Sequence, residues 1–117
     1  MIPVFKESEE LIKFANTHHL YKDLILQLKK DFGLANLTLD LPEDSNPNEL
    51  KYLLQKNIQF LIEEKFSDFV NLLYIVDLPE NTARQILETE KQNISDHYTF
   101  LILKRVWQKI WFRQKYQ

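Results

Sequence analysis

Cysteine is absent from this chain, and glycine occurs once, at Gly33. Without cysteine there is no disulfide framework, no thiolate nucleophile and no Cys-ligated zinc. The same absence fits a reducing compartment, and a cytoplasmic location is the expectation. Phosphate-cradling loops and dinucleotide fingerprints need several glycines for close backbone approach, so Rossmann and P-loop chemistry are excluded. Also missing is any apolar run near the roughly 20 residues that span a bilayer. The densest run, Phe69 to Val76, is interrupted by Asn71, and the opening MIPVFKESEE lacks the basic start and apolar stretch of a signal peptide.

Catalytic signatures are equally sparse. Each of the three histidines, His18, His19 and His97, is preceded three positions earlier by Ala15, Asn16 or Ile94, so no Glu-x-x-His motif exists. His-Glu-x-x-His is missing too. The adjacent pair His18-His19 reads as polar turn residues, with a weak metal site beside a nearby acid as the alternative. His97 reads as an exposed or hydrogen-bonded side chain at the start of the last helix. Ser8, Ser45, Ser67 and Ser95 lie in cap-like or loop contexts, none in a nucleophile elbow. Glu9-Glu10, Glu63-Glu64 and the Glu64/Asp68 spacing read as solvated faces. No catalytic, cofactor-binding or metal-ligating residue is assigned and no cofactor is expected, which points away from an enzyme.

What remains is globular composition: 117 residues, 44% apolar and 27% charged, enough for one domain over residues 1–117 with a sizeable core. A first helix starts near Glu7, Glu9 and Glu10 with Ser8 as N-cap and runs to about Asn16, burying Leu11, Ile12 and Phe14 or Ala15. In the second, Leu20, Leu24, Leu28 and Phe32 recur at every fourth position. Gly33 sits where a left-handed helix-ending glycine belongs. Leu37, Leu39 and Leu41 alternate like a strand with nothing to pair with, so they read as an extended crossover docked on a bundle. PEDSNPN is a loop by its turn chemistry.

Helical spacing resumes from Asn48 with Leu50, Leu53, Leu54, Ile58, Leu61 and Ile62, and breaks near Glu64-Lys65 or continues through Phe66. Phe69 to Val76 is apolar nearly all round, which predicts a central, buried helix. Asp77-Leu78-Pro79-Glu80 reads as the capping box of a short helix contributing Ile86 and Leu87. Asn93 or Ser95 then caps a long last helix. The expectation is an all-α, single-domain bundle of five or six helices with a long C-terminal amphipathic helix.

The run NLLYIVDLPE, followed by a short helix and a terminal helix ending in basic and aromatic residues, resembles small uncharacterised all-helical bacterial proteins over residues 58–117. The resemblance implies an all-α fold. It implies no activity and carries over no functional residue.

The terminal helix, Ile94 to Tyr116, holds both tryptophans, and the final fourteen residues carry five basic side chains and no acid. Net charge is therefore −7 over residues 1–103 and +5 over residues 104–117. Cations suit a helix C-terminus, whose dipole carries partial negative charge. They also suit an acidic partner. On a helical projection Phe100, Leu103, Val106, Trp107, Ile110 and Trp111 share one side, with Lys104, Arg105, Gln108, Lys109 and Lys115 opposite. Phe112 falls among the basic residues. The expected function is therefore a non-enzymatic protein–protein interaction domain, with a protein partner or a homodimer held through Arg105, Lys109, Phe112, Arg113 and Tyr116. The alternative is peripheral binding of the same helix end to an anionic surface, either membrane or nucleic acid. Nucleic acid is disfavoured by the acidic balance of the chain and the lack of a recognisable binding module.

Overall fold

The computed structural model describes residues 3–78 and 94–115. Those residues form five helices: α1 (Ser8–Thr17), α2 (Tyr21–Leu34), α3 (Pro47–Glu64), α4 (Phe66–Val76) and α5 (Ile94–Lys115). The fold is all-α, with no strand among the described residues. The helix expected to begin at Asp77-Leu78-Pro79-Glu80 falls on residues 79–93, outside the described residues, as does the cap at Asn93.

Helix starts follow local chemistry. Asn46 caps α3 by accepting the Glu49 backbone N–H at 2.9 Å, and Pro47 occupies the first turn, where its missing donor costs nothing. Such a cap contributes about 1 kcal/mol. At α1 the N-cap is Glu7, one residue earlier than expected, and Ser8 is buried inside the first turn. Glu10 reaches back to accept the Lys6 backbone N–H at 3.1 Å. That bond ties the segment before α1 to its first turn, and the N-cap side chain of Glu7 makes no capping bond.

Helix ends are more unusual. Gly33 lies within α2 and has no positive φ, contrary to the expectation that it would end the helix. The left-handed residue is Asn36, at φ 61°, with Leu37 N–H bonded to the Phe32 carbonyl at 2.9 Å and Asn36 N–H to the Gly33 carbonyl at 3.0 Å. These are the paired bonds of a Schellman motif. The same pair closes α1 around His19 (φ 60°) and α4 around Asp77 (φ 73°). Asp77 thus terminates α4 and does not take the extended backbone of an N-cap. A chain with one glycine ends three helices on His, Asn and Asp, the residue types that tolerate this region best.

The left-handed backbone still costs a side-chain-bearing residue about 1–2 kcal/mol. Part of the gain from removing that cost is offset by the greater freedom of glycine in the unfolded chain. His19→Gly is therefore expected to stabilise the fold by about 0.5–1 kcal/mol. A urea midpoint equal to or below that of the wild type would show that the turn is not strained.

The buried side chains form one core cluster drawn from all five helices and from Leu39 and Leu41 of the crossover. The leucines of that segment dock on the bundle as their alternation implied. The central helix is α5. It contacts α1, α2, α3 and α4, and those four neighbour one another in the ring order α1, α3, α4, α2. Helix α4 is not the buried centre its composition suggested. It buries Phe69, Leu72, Leu73 and Val76, while Val70 is 42% and Tyr74 75% exposed. A helix of three turns touches the core with one face only. The long terminal helix has enough surface for every neighbour to pack against it.

Candidate functional site

The surface expected to act is the basic, aromatic end of α5, and its geometry follows from which side of that helix is buried. Ile94, Tyr98, Thr99, Ile102, Leu103, Val106, Trp107 and Ile110 are buried, whereas Phe100 and Trp111 are half-buried. Tyr98, Thr99 and Ile102 turn the inner face by roughly a fifth of a turn from the side drawn through Phe100 and Trp111. That rotation brings Lys109 and Arg113 to the edge of the core.

There they meet α2. Lys109 Nζ donates to Asp31 Oδ2 at 2.8 Å, and Gln27 Nε2 donates to Asp31 Oδ1 at 2.9 Å. Arg113 donates to Gln27 Oε1 at 3.1 Å. Gln27 and Asp31 are one turn apart, as are Lys109 and Arg113, and the earlier residue of each pair meets the later one of the other. Helices α2 and α5 therefore run antiparallel in a fixed register. Both Asp31 oxygens are satisfied although its side chain is 3% exposed. An ionised carboxylate this deep is tolerable only with such partners.

Two further contacts hold the same helix. Arg105 pairs with Asp77 at 3.3 Å, tying α5 to the end of α4. Near the start of α5, Lys51 of α3 bridges Asp96, at 3.3 Å, and Glu9 of α1. The hydrogen bond from Lys51 holds the Glu9 carboxyl below its ordinary range, and that bond raises the Lys51 ammonium in turn. Among the described residues, the ion pairs Lys51–Asp96, Arg105–Asp77 and Lys109–Asp31 each have one member on α5.

The aromatic residues of α5 are also engaged inside the fold. Trp107 is 1% exposed and meets Phe14 at 5.5 Å and Phe5 at 5.9 Å, both edge-to-face, with Trp111 at 5.6 Å on its other side. His18 extends this cluster. Its ring stacks on Phe14 at 3.8 Å, and its Nδ1–H donates to the Phe14 carbonyl at 2.9 Å. Tyr98 meets Phe69 edge-on at 4.8 Å, and burial pushes its hydroxyl up to about 12.

Of the five residues expected to bind a partner, Arg105, Lys109 and Arg113 thus hold α5 in place, and Tyr116 lies outside the described residues. Phe112 is 45% exposed, with Arg113, Gln114 and Lys115 exposed around it. Sequence reasoning missed Asp31 and Gln27. A signal for Asp31 was present, since a helical projection of α2 places it between Leu20 and Leu24, just inside one edge of the apolar stripe, whereas Gln27 lies just outside it. An acid in that position calls for a cation from elsewhere in the chain.

One cleft beside α5 is lined by Asp77, Lys104, Arg105 and Gln108, and another by Asp23, Arg113 and Gln114. Glu64 and Asp68 do not share a helix, because the chain breaks at Lys65. Among the described residues, no cluster of three or more His, Asp or Glu forms a metal-binding group. No described helix is long and apolar enough to cross a membrane.

No family model, curated protein or solved structure matches the chain.

Proposed function

We propose that this chain is a small, non-enzymatic, cytoplasmic protein–protein interaction domain that meets an acidic protein surface through the exposed end of α5. The observation that carries the reading is Phe112, 45% exposed beside exposed Arg113 and Lys115. That stretch belongs to a final fourteen residues without an acid. An aromatic side chain flanked by cations suits an interface, where aromatic residues and Arg are enriched. The helix beneath is held by four other helices, so the surface is presented on a rigid support and loses little freedom on binding.

An anionic membrane or nucleic-acid surface fits the geometry less well. Interfacial binding would draw on tryptophan anchors, and Trp107 is buried. Phosphate binding would draw on a run of available cations, and Lys109 is committed to Asp31.

The test is a peptide array of acidic and neutral sequences probed with wild type and with Phe112→Ala/Lys115→Ala, which leaves the Arg113 contact intact. Wild type is expected to retain acidic peptides in a salt-sensitive way, with binding reduced about tenfold, or 1.4 kcal/mol, in the double variant. Equal retention of acidic peptides by the two proteins, or none by either, would sink the reading.

A further inference from the structure

The non-helical segment before α1 leaves a cleft against α5. Pro3, Val4 and Phe5 line it from the segment, and Lys104, Trp107 and Gln108 from the helix, around a volume of about 170 Å³. Two aromatic rings meet there, Phe5 lying edge-on to Trp107 at 5.9 Å. Lys104 and Gln108 are one helical turn apart on α5 and both are half-buried. The Lys104 ammonium lies over the Phe100 ring, 5.1 Å from its centroid, and a ring face offers it no oxygen acceptor. Among the described residues no acid pairs with Lys104, and the Gln108 side chain has no hydrogen-bond partner.

We infer that this cleft binds a small aromatic carboxylate, a single ring bearing one anionic group. Size sets the first limit. A cavity of about 150 Å³ holds a benzene ring, whereas sites for drug-sized ligands run from about 300 to 1,000 Å³. The walls set the second, since Phe5 and Trp107 offer a flat ring the edge-to-face and offset contacts that aromatic pairs prefer. Charge sets the third. The lining residues hold one cation and no acid, which matches a single negative charge. Lys104 Nζ can donate to one carboxylate oxygen and Gln108 Nε2 to the other. A phosphate ester, with a charge of about −1.5 to −2, would be only partly neutralised.

The affinity is that of a small fragment. At the binding energy per atom that such molecules reach, benzoate should have a dissociation constant on the order of 1 mM. Both halves of the ligand are needed. Acetate lacks the ring and gains nothing from Phe5 and Trp107, and benzyl alcohol leaves the Lys104 ammonium unmatched. The site uses the middle of α5 and the segment before α1, and not Phe112, Arg113 or Lys115. It can therefore fail its test without affecting the acidic-peptide reading, and the reverse holds too.

Proton–nitrogen correlation NMR during a titration with benzoate to about 20 mM tests it. The reporter is the Trp107 Nε1–H, buried and without a hydrogen-bond partner among the described residues. Trp111→Phe tells its resonance from that of the other indole. The Trp107 resonance should move with benzoate and saturate. Lys104→Met, which keeps the stem and loses the charge, should bind about tenfold more weakly. Lys104→Arg, which keeps the charge, should stay within about threefold of wild type. Phe112→Ala/Lys115→Ala should bind as wild type does. A resonance that does not saturate overturns the inference, as does equal affinity in wild type and Lys104→Met. Acetate or benzyl alcohol binding as tightly as benzoate overturns it as well, since the cleft would then not read a ring and a carboxylate together.

Discussion

Lys109→Ala is expected to destabilise the protein by about 3–5 kcal/mol, more than an exposed lysine on a helix end would suggest. The reason lies in Asp31, whose side chain is 3% exposed. Removing the ammonium leaves a buried carboxylate with only the Gln27 amide as its partner among the described residues. Desolvation of the carboxylate then goes uncompensated, or a proton must be taken up to neutralise it. The reverse change, Asp31→Ala, should cost less, because Lys109 is 25% exposed and can turn its ammonium to water. Replacing both residues, as Asp31→Leu/Lys109→Met, should recover most of the loss, since apolar groups of similar volume often substitute for a buried pair at no net cost. Urea unfolding of the three variants tests this. Lys109→Ala within about 1 kcal/mol of wild type would show that the pair behaves as a surface contact.

The buried pair also explains what could and could not be read from the sequence. Helix-forming stripes were legible because each obeys its own local period, as at Leu20, Leu24, Leu28 and Phe32. The docking of Leu39 and Leu41 was legible because an unpaired strand has no alternative. Which helix lies at the centre was not, since centrality depends on how many neighbours an element reaches and not on its own composition. Phe69 to Val76 is the more apolar segment, yet the longer α5 occupies the middle. The helix ends were misread at Gly33 for a related reason. Glycine is the easiest left-handed residue, but the boundary is fixed by where Asn36 and Leu37 can close the Phe32 and Gly33 carbonyls. The basic end of α5 was legible as a cluster and not as a set of anchors. An anchor is defined by its partner, and Asp31 lies 78 residues earlier in the chain.

The second large effect is expected in the aromatic half of α5. Trp107→Ala should cost about 3–5 kcal/mol, the range for deleting a fully buried large side chain. Trp107 holds Phe5 and Phe14 edge-on and packs against Trp111, so its removal opens a cavity between the N-terminal segment, α1 and α5. Two causes are mixed in the indole, because its buried Nε1–H has no hydrogen-bond partner among the described residues. An unsatisfied buried donor costs about 1–3 kcal/mol, which partly offsets what the ring contributes by packing. Trp107→Phe separates the two causes. It retains a ring for Phe5 and Phe14, gives up some volume and removes the donor, and it should fall within about 1 kcal/mol of wild type. If Trp107→Phe is as costly as Trp107→Ala in urea unfolding, the full indole volume governs the site and the unpaired N–H carries little penalty. If it is the milder change, α5 is held at this end by ring packing, and the cations on its flank set the register of an already buried helix.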